Sequence, residues 1–465
     1  MDWTTRPSTA RNTPTGGGSG HWWRTHWALI GLLLALLILL AGGLVLAVGD
    51  TPVIGSAIVG PQPFPLVGDD VSARAFAYAS PNASNSLIGT VTVIDTPSGR
   101  ALHTTAIGPR VAFGPTAAFA AVDRHTGHVF VDGDDGSIAM LDASTCRLLH
   151  TLTDTASPDN RQIVADEQTA RVFIGHRDES VVTMIDGRSG AMLRRIAVCG
   201  SPFALGLSGR LGRVFVKCND GTTDVLDARM GRVLRGITTG TAWGTVVADE
   251  QTGRVFVISD VAGQLSVLDA RTGTLVRTLP LGGFAATDER SGHVFLARVL
   301  PNATGSHEVI MLDGRTGAVL RHIPVAANPG APVVDPQTGH VFIASVGPVD
   351  ASGNPSTYGT LTILDGASGT VVRTMNVGFN PGDMLIDGRA RRLLVSHPAL
   401  AYNPSWPSGP LTASPPESGW QQARRRVLVA LQRALPSWLP VTIHLPPPPT
   451  PPTKGSVITF DLTRL

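Results

Sequence analysis

From residue 52 onward, apolar and polar residues alternate in short runs, separated by turns rich in Gly, Asp, Ser and Thr. Alternation with period two predicts half-buried β-strands, and no helical period runs through this region. One run recurs as GHVFV (127–131), ARVFI (170–174), GRVFV (212–216), GRVFV (253–257), GHVFL (292–296) and GHVFI (339–343). Its Val-Phe pair steps by 43, 42, 41, 39 and 47 residues. Weaker copies, ARAFA (73–77) and ARRLLV (390–395), flank the series.

A second strand closes on an apolar residue plus Asp, in eight copies from Ile94-Asp95 to Phe460-Asp461. A Gly commonly stands four residues after that Asp and supplies the positive φ of a hairpin. A third strand follows at once. A fourth precedes the Val-Phe strand and ends at Asp69, Asp123, Asp166, Asp249, Asp288, Asp335 or Asp387, with Ser208 in the remaining copy. Four strands in about 43 residues are the unit of a β-propeller. The expected fold is all-β, with four-stranded antiparallel blades, eight in number or alternatively seven. The last repeat stops after its third strand at Leu465. PVIGSAIV (52–59) is expected to pair with SVITFDL (456–462) and supply the missing outer strand.

Units such as NPGAPVVDPQTGHVFIASV (328–346) followed by GTLTILDGASGTVVRTMNV (359–377) resemble the YVTN/YncE family of bacterial extracytoplasmic β-propellers. The resemblance spans roughly residues 64–397 and 455–465, with Val-Phe-Val/Ile in place of the literal Tyr-Val-Thr-Asn string. It implies a propeller outside the cytoplasm. Related propellers include quinoprotein amine dehydrogenase-like subunits and lactonases, so it implies no single activity.

Ahead of the repeats, residues 28–48 are apolar and without charge. As a helix they would span about 31 Å, the thickness of a hydrocarbon core. Trp22, Trp23 and Trp27 border the segment, and Arg6, Arg11 and Arg24 precede it. This predicts an uncleaved signal anchor in the cell membrane. Residues 1–27 would form a disordered cytoplasmic tail and residues 50–465 an extracytoplasmic propeller. A cleaved signal peptide is the alternative.

Composition adds exclusions. Net charge is +2, so no electrostatic footprint for nucleic acid exists. Lys217 and Lys454 are the only lysines, which we read as genome composition. Three cysteines exclude a disulfide framework. Cys199 and Cys218 flank one hairpin, either as a disulfide or as two buried thiols. Cys146 takes a turn position that is Gly in six repeats and is expected unpaired.

The repeated Asp residues are architectural by their recurrence. Glu308 breaks the repeat, but its neighbour His307 points the other way on an extended strand. VDGDDGS (131–137) lacks the spacer and terminal Glu of a calcium loop and reads as a turn. His128, His293 and His340 share a slot with Arg213 and Arg254, which we read as a solvated strand position. No nucleophile elbow, Walker loop, dinucleotide fingerprint or haem motif occurs, and no cofactor or metal ligand set is expected.

Loops leading into the inner strands offer a candidate ligand mouth at Ser201, Trp243, Asn328 and Asn380. An insertion at 398–454 contains a helical stretch with Trp420, Val427 and Leu431 on one face, Arg424 and Arg425 broadly opposite, and Trp438 beyond a proline. It would pack over the propeller, lie on the membrane or grip a partner. The expected function is a binding or scaffold module for a protein, glycan or small molecule. The alternatives are a lactonase-like or quinoprotein-like enzyme and a structural spacer. Oligomeric state is not legible.

Overall fold

The computed structural model describes residues 52–465, apart from 61, 81–87, 110–119, 133–136, 154–161, 241–243, 260–262, 299–306, 350–354, 356 and 399–454. Among the described residues, thirty-two strands form eight four-stranded antiparallel sheets. The blades comprise residues 62–109, 120–153, 163–197, 202–238, 246–279, 284–325 and 333–378, in order. Blade 8 combines 384–397, 456–461 and 53–58. Its outer strand comes from the other end of the chain: Val53 pairs with Phe460, and Ile58 with Ser456. The ring is therefore closed by the clasp that the truncated last repeat requires, and eight, not seven, is the blade number.

Each Val-Phe strand is buried because it lies second in its sheet, between blades. Phe130, Phe173, Phe215, Phe256 and Phe295 are 0% exposed, and each packs on the second and third strands of the next blade. Phe76 and Phe342 do the same at their boundaries. Leu394 and Val457 take that place between blade 8 and blade 1. Burying one such ring stabilises by about 3 kcal/mol, which explains why the motif recurs once per blade.

The two edges of the ring differ. On the turn face, the Asp ending the inner strand in seven blades accepts backbone N–H groups of its own turn, as Asp123 does from His125 at 3.0 Å, and blade 4 has Ser208 there. The residue four positions later is left-handed in all eight blades: Ala73, Gly127, Ala170, Gly212, Gly253, Gly292, Gly339 and Arg391. Its carbonyl accepts the N–H just beyond the strand-end Asp, for example Ala228 to Gly212 at 2.9 Å.

The slot shared by His and Arg is half-buried, and in several blades its side chain reaches the next blade rather than only solvent. His128 Nδ1–H donates to the Gly187 carbonyl of the next blade at 2.8 Å, and His293 to Gly366 at 2.9 Å. Arg254 Nε reaches Arg315 O at 3.1 Å, and Arg392 Nε reaches Pro97 O at 3.2 Å across the closing seam. Both residue types offer an N–H at the right length, so they substitute for one another as stitches between blades. Outer-strand arginines form a second row of stitches: Arg235 to Thr272 O, Arg321 to Ser368 O and Arg373 to Arg464 O.

No helix among the described residues is long and apolar enough to cross a membrane. The apolar segment 28–48 lies outside the described residues, as do residues 1–27 and the helical stretch of the insertion.

Candidate functional site on the loop face

Opposite the turn face lie the connections between second and third strands and the crossings from each outer strand to the next inner one. Here the repeat is relaxed. The hairpin is three residues in blade 4 (219–221), four in blade 5 (260–263), eight in blade 6 (299–306) and thirteen in blade 7 (346–358). In blade 8 it is the fifty-eight residues 398–455. Such length variation on one edge of a rigid scaffold is where binding surfaces are built.

Three of the expected mouth residues occupy one equivalent position. Ser201, Asn328 and Asn380 each precede a proline in a crossing loop and are left-handed, with φ of 59°, 53° and 47°. Their side chains face the chain. Asn328 Nδ2 donates to Gly347 O at 2.9 Å, and Asn380 Nδ2 to Pro398 O at 3.5 Å. Ser201 Oγ accepts from Asn219 Nδ2 at 3.3 Å. Each ties a crossing loop to the hairpin of the blade it enters, so these residues position the loops. Trp243 lies outside the described residues, as do Trp420, Arg424, Arg425, Val427, Leu431 and Trp438.

Blade 4 carries the densest chemistry. Cys199 and Cys218 are joined by a disulfide, with Cα atoms 5.8 Å apart. Asp220 accepts the Gly200 N–H at 2.7 Å, and Asp224 accepts the Cys199 N–H at 2.8 Å. Burial raises the Asp224 carboxyl above its usual range, and Asp220 nearby adds to this. Cys199, Cys218 and Asp220 are the one group of potential metal ligands that converges among the described residues. Their sulfurs are spent on each other, so the set does not fit a metal.

On the other side of this sheet, Lys217 is 0% exposed. Its Nζ donates to Gly240 O at 3.1 Å, and burial drives its pKa down to about 8. Sequence reasoning missed it. The available signal was a lysine at the fifth position of a strand that carries Ile258 or Ala344 there in other blades.

At the root of the insertion, Ser396 and Asp383 lock together: Asp383 N–H donates to Ser396 Oγ at 2.8 Å, and Ser396 N–H to Asp383 O at 2.8 Å. His397 is 2% exposed, and its Nδ1–H donates to Phe379 O at 2.8 Å. Burial lowers it to about 4, so the imidazole is neutral. Phe379 in turn stacks on Tyr358, with ring centroids 4.3 Å apart. This is a rigid mount from which the long connection departs.

In blade 6, Glu308 accepts from Arg298 at 3.2 Å and from His322 Nδ1 at 2.9 Å. His307 instead accepts the Asn328 N–H at 3.3 Å. Glu308 thus ties three strands of one sheet, and His307 braces a crossing loop. The turn face holds a cavity of about 250 Å³ beside the closing seam, lined by Asp69, Asp70, Arg124 and Asp387. In it the Thr96 hydroxyl donates to the Asp387 carboxylate.

No known family profile matches the chain, and no curated protein matches it. Solved structures do. BamB from Moraxella catarrhalis is similar over 74% of this chain and 96% of its own, at 17% identity and a TM-score of 0.51. Kuenenia stuttgartiensis hydrazine synthase is similar over 50% of this chain and 72% of its own, at 16% identity and a TM-score of 0.43. At such identity the likeness to BamB concerns the propeller fold alone.

Proposed function

We propose that this protein is a membrane-anchored extracytoplasmic propeller of the YVTN/YncE type, acting as a binding or scaffold module through its loop face. The observation that carries this reading is the contrast between the two edges. One edge repeats the same turn eight times, while the other holds every expanded connection, from 219–221 to 398–455. A scaffold with no partner has no use for that asymmetry. Two further features support the compartment. The Cys199–Cys218 disulfide persists in oxidising surroundings and is rare in a reducing cytosol. The apolar, Trp-bordered run 28–48 has the length and flanking charge of a signal anchor.

The test is cross-linking from each face of the full-length protein in its native membrane. A photoreactive residue at the exposed position 357 in the blade 7 hairpin is expected to yield a discrete adduct, and one at position 389 on the turn face is not. Replacing 398–454 by a short Gly-Ser turn is expected to weaken that adduct. Adducts arising solely from position 389, or propeller epitopes accessible only after cell lysis, contradict the proposal.

A further inference from the structure

The turn face carries a pattern that its architecture does not require. In blades 3 to 6, the hairpin before the outer strand presents an exposed arginine at one equivalent position: Arg188, Arg229, Arg271 and Arg315. Blades 1, 2, 7 and 8 have Pro97, Ser144, Ala367 and Thr463 there. In the outer hairpins and outer strands of the same blades, apolar side chains stand in water. Met230 is 58% exposed, and Leu193, Leu234, Val276 and Leu320 are 43%, 41%, 46% and 49% exposed.

The acids of this face are mostly held by other groups; among the arc arginines, Arg188 adds to the Ser189 N–H in lowering the Asp186 carboxyl and bonds His125 Nε2 at 2.9 Å. Asp186, Asp227, Asp269 and Asp313 accept N–H groups of their own turns. Asp227 and Asp269 also pair with Arg213 and Arg254. On the inner turns, Glu167 pairs with Arg124, and Glu250 accepts from Ser208 and the Arg210 N–H.

Mixed guanidinium and apolar groups along one arc suit an anionic lipid surface. The apolar chains and arginine stems enter the headgroup layer, and the guanidinium groups bind phosphate. The path of the chain agrees. The Pro52 carbonyl accepts the Asp461 N–H at 2.6 Å on the turn face of blade 8. Three residues, 49–51, separate Pro52 from the apolar run 28–48, a reach of roughly 10 Å. In an eight-membered ring, blade 4 stands opposite blade 8. Pro52, the first described residue, thus stands on one side of the turn face and the arginine arc on the other.

We propose that the Arg188–Arg315 arc docks on anionic phospholipid headgroups of the bilayer that holds residues 28–48, so that the loop face points away from the lipid. This rests on the membrane-anchored reading above.

The test uses the full chain with Cys146→Gly, which leaves no thiol outside the disulfide. An environment-sensitive fluorophore is attached at Met230→Cys, or at Asp178→Cys on the loop face. The protein is reconstituted into phosphatidylcholine vesicles with and without phosphatidylglycerol. With phosphatidylglycerol, the label at 230 is expected to shift to the blue and to lose most of its emission to headgroup-depth quenching lipids. The label at 178 is expected to do neither. Charge reversal at Arg188, Arg229, Arg271 and Arg315 to Glu, or at Arg229 and Arg271 alone should the fourfold variant not fold, is expected to return the label at 230 to an aqueous spectrum while the protein still floats with the vesicles. A label at 230 that stays aqueous in anionic vesicles, on a chain that floats, overturns the docking alone. A chain that does not float overturns the anchored reading with it.

Discussion

Asp383 of blade 8 accepts the backbone N–H of Leu66 in blade 1 at 2.8 Å, so one carboxylate bridges the seam where the two ends of the ring meet. Burial raises its pKa from 3.8 to about 6. The folded state therefore holds the proton more tightly than the unfolded chain. The resulting stability is full below about pH 4 and is lost as the pH rises through about 6, by up to about 3 kcal/mol. Asp383→Asn keeps an oxygen for the Leu66 N–H and removes the titration. Urea unfolding of both proteins between about pH 4 and 7 is expected to show the variant gaining on wild type with rising pH. Taking the difference cancels the opposite contribution of His397, whose lowered pKa costs stability as the pH falls toward 4.

Lys217 pairs a buried ammonium with one carbonyl. Its folded pKa of about 8 lies below the ordinary 10.5, so the unfolded chain binds the proton better. The penalty is complete at neutral pH and disappears as the pH rises through 10.5. Lys217→Met is expected to stabilise the protein at pH 7 by about 2 kcal/mol, after allowance for the lost bond to Gly240. That gain is expected to vanish at high pH. Thermal unfolding at several pH values checks both statements.

The clasp leaves no room at Gly55. A Cβ there would lie 2.5 Å from Ser98 O, and one on Gly99 would lie 2.7 Å from Thr459. Gly55→Val is expected to cost about 3 kcal/mol by forcing the outer strand off blade 8. Phe460→Ala, which empties a fully buried site opposite Val53, is expected to cost about 4 kcal/mol. Denaturant midpoints measure both.

Removing the Cys199–Cys218 bond opens a loop with a sequence separation of 19. The double variant Cys199→Ala, Cys218→Ala is expected to lose about 3 kcal/mol and to keep its fold. Cys146, pushed up to about 11 by burial, is expected to resist alkylation at pH 8 until the protein unfolds.

The blade was legible in the sequence because every copy solves the same two packing problems. The Val-Phe pair fills a boundary between blades, and the strand-end Asp holds a turn. The clasp was legible because an unpaired third strand demands a fourth. The stitch formed by His128 and Arg254 was not legible. Mixed residue types read as solvent exposure, and only the position of the neighbouring carbonyl shows what they share. Lys217 was hidden because one lysine in a lysine-poor chain looks like composition. At Ser201, Asn328 and Asn380 the following proline marked a loop, but it did not show that a left-handed turn had committed the side chains inward.

A closed ring requires its first and last strands to be neighbours. The most direct measurement is a cysteine pair at Ser56 and Ile458, residues facing one another in the clasp, introduced with Cys146→Gly into the full chain. Under mild oxidation it is expected to form one intramolecular disulfide, which speeds migration on a non-reducing gel and raises the unfolding midpoint. A folded protein that forms no such bond, or links only to second copies, would contradict the closed eight-bladed ring.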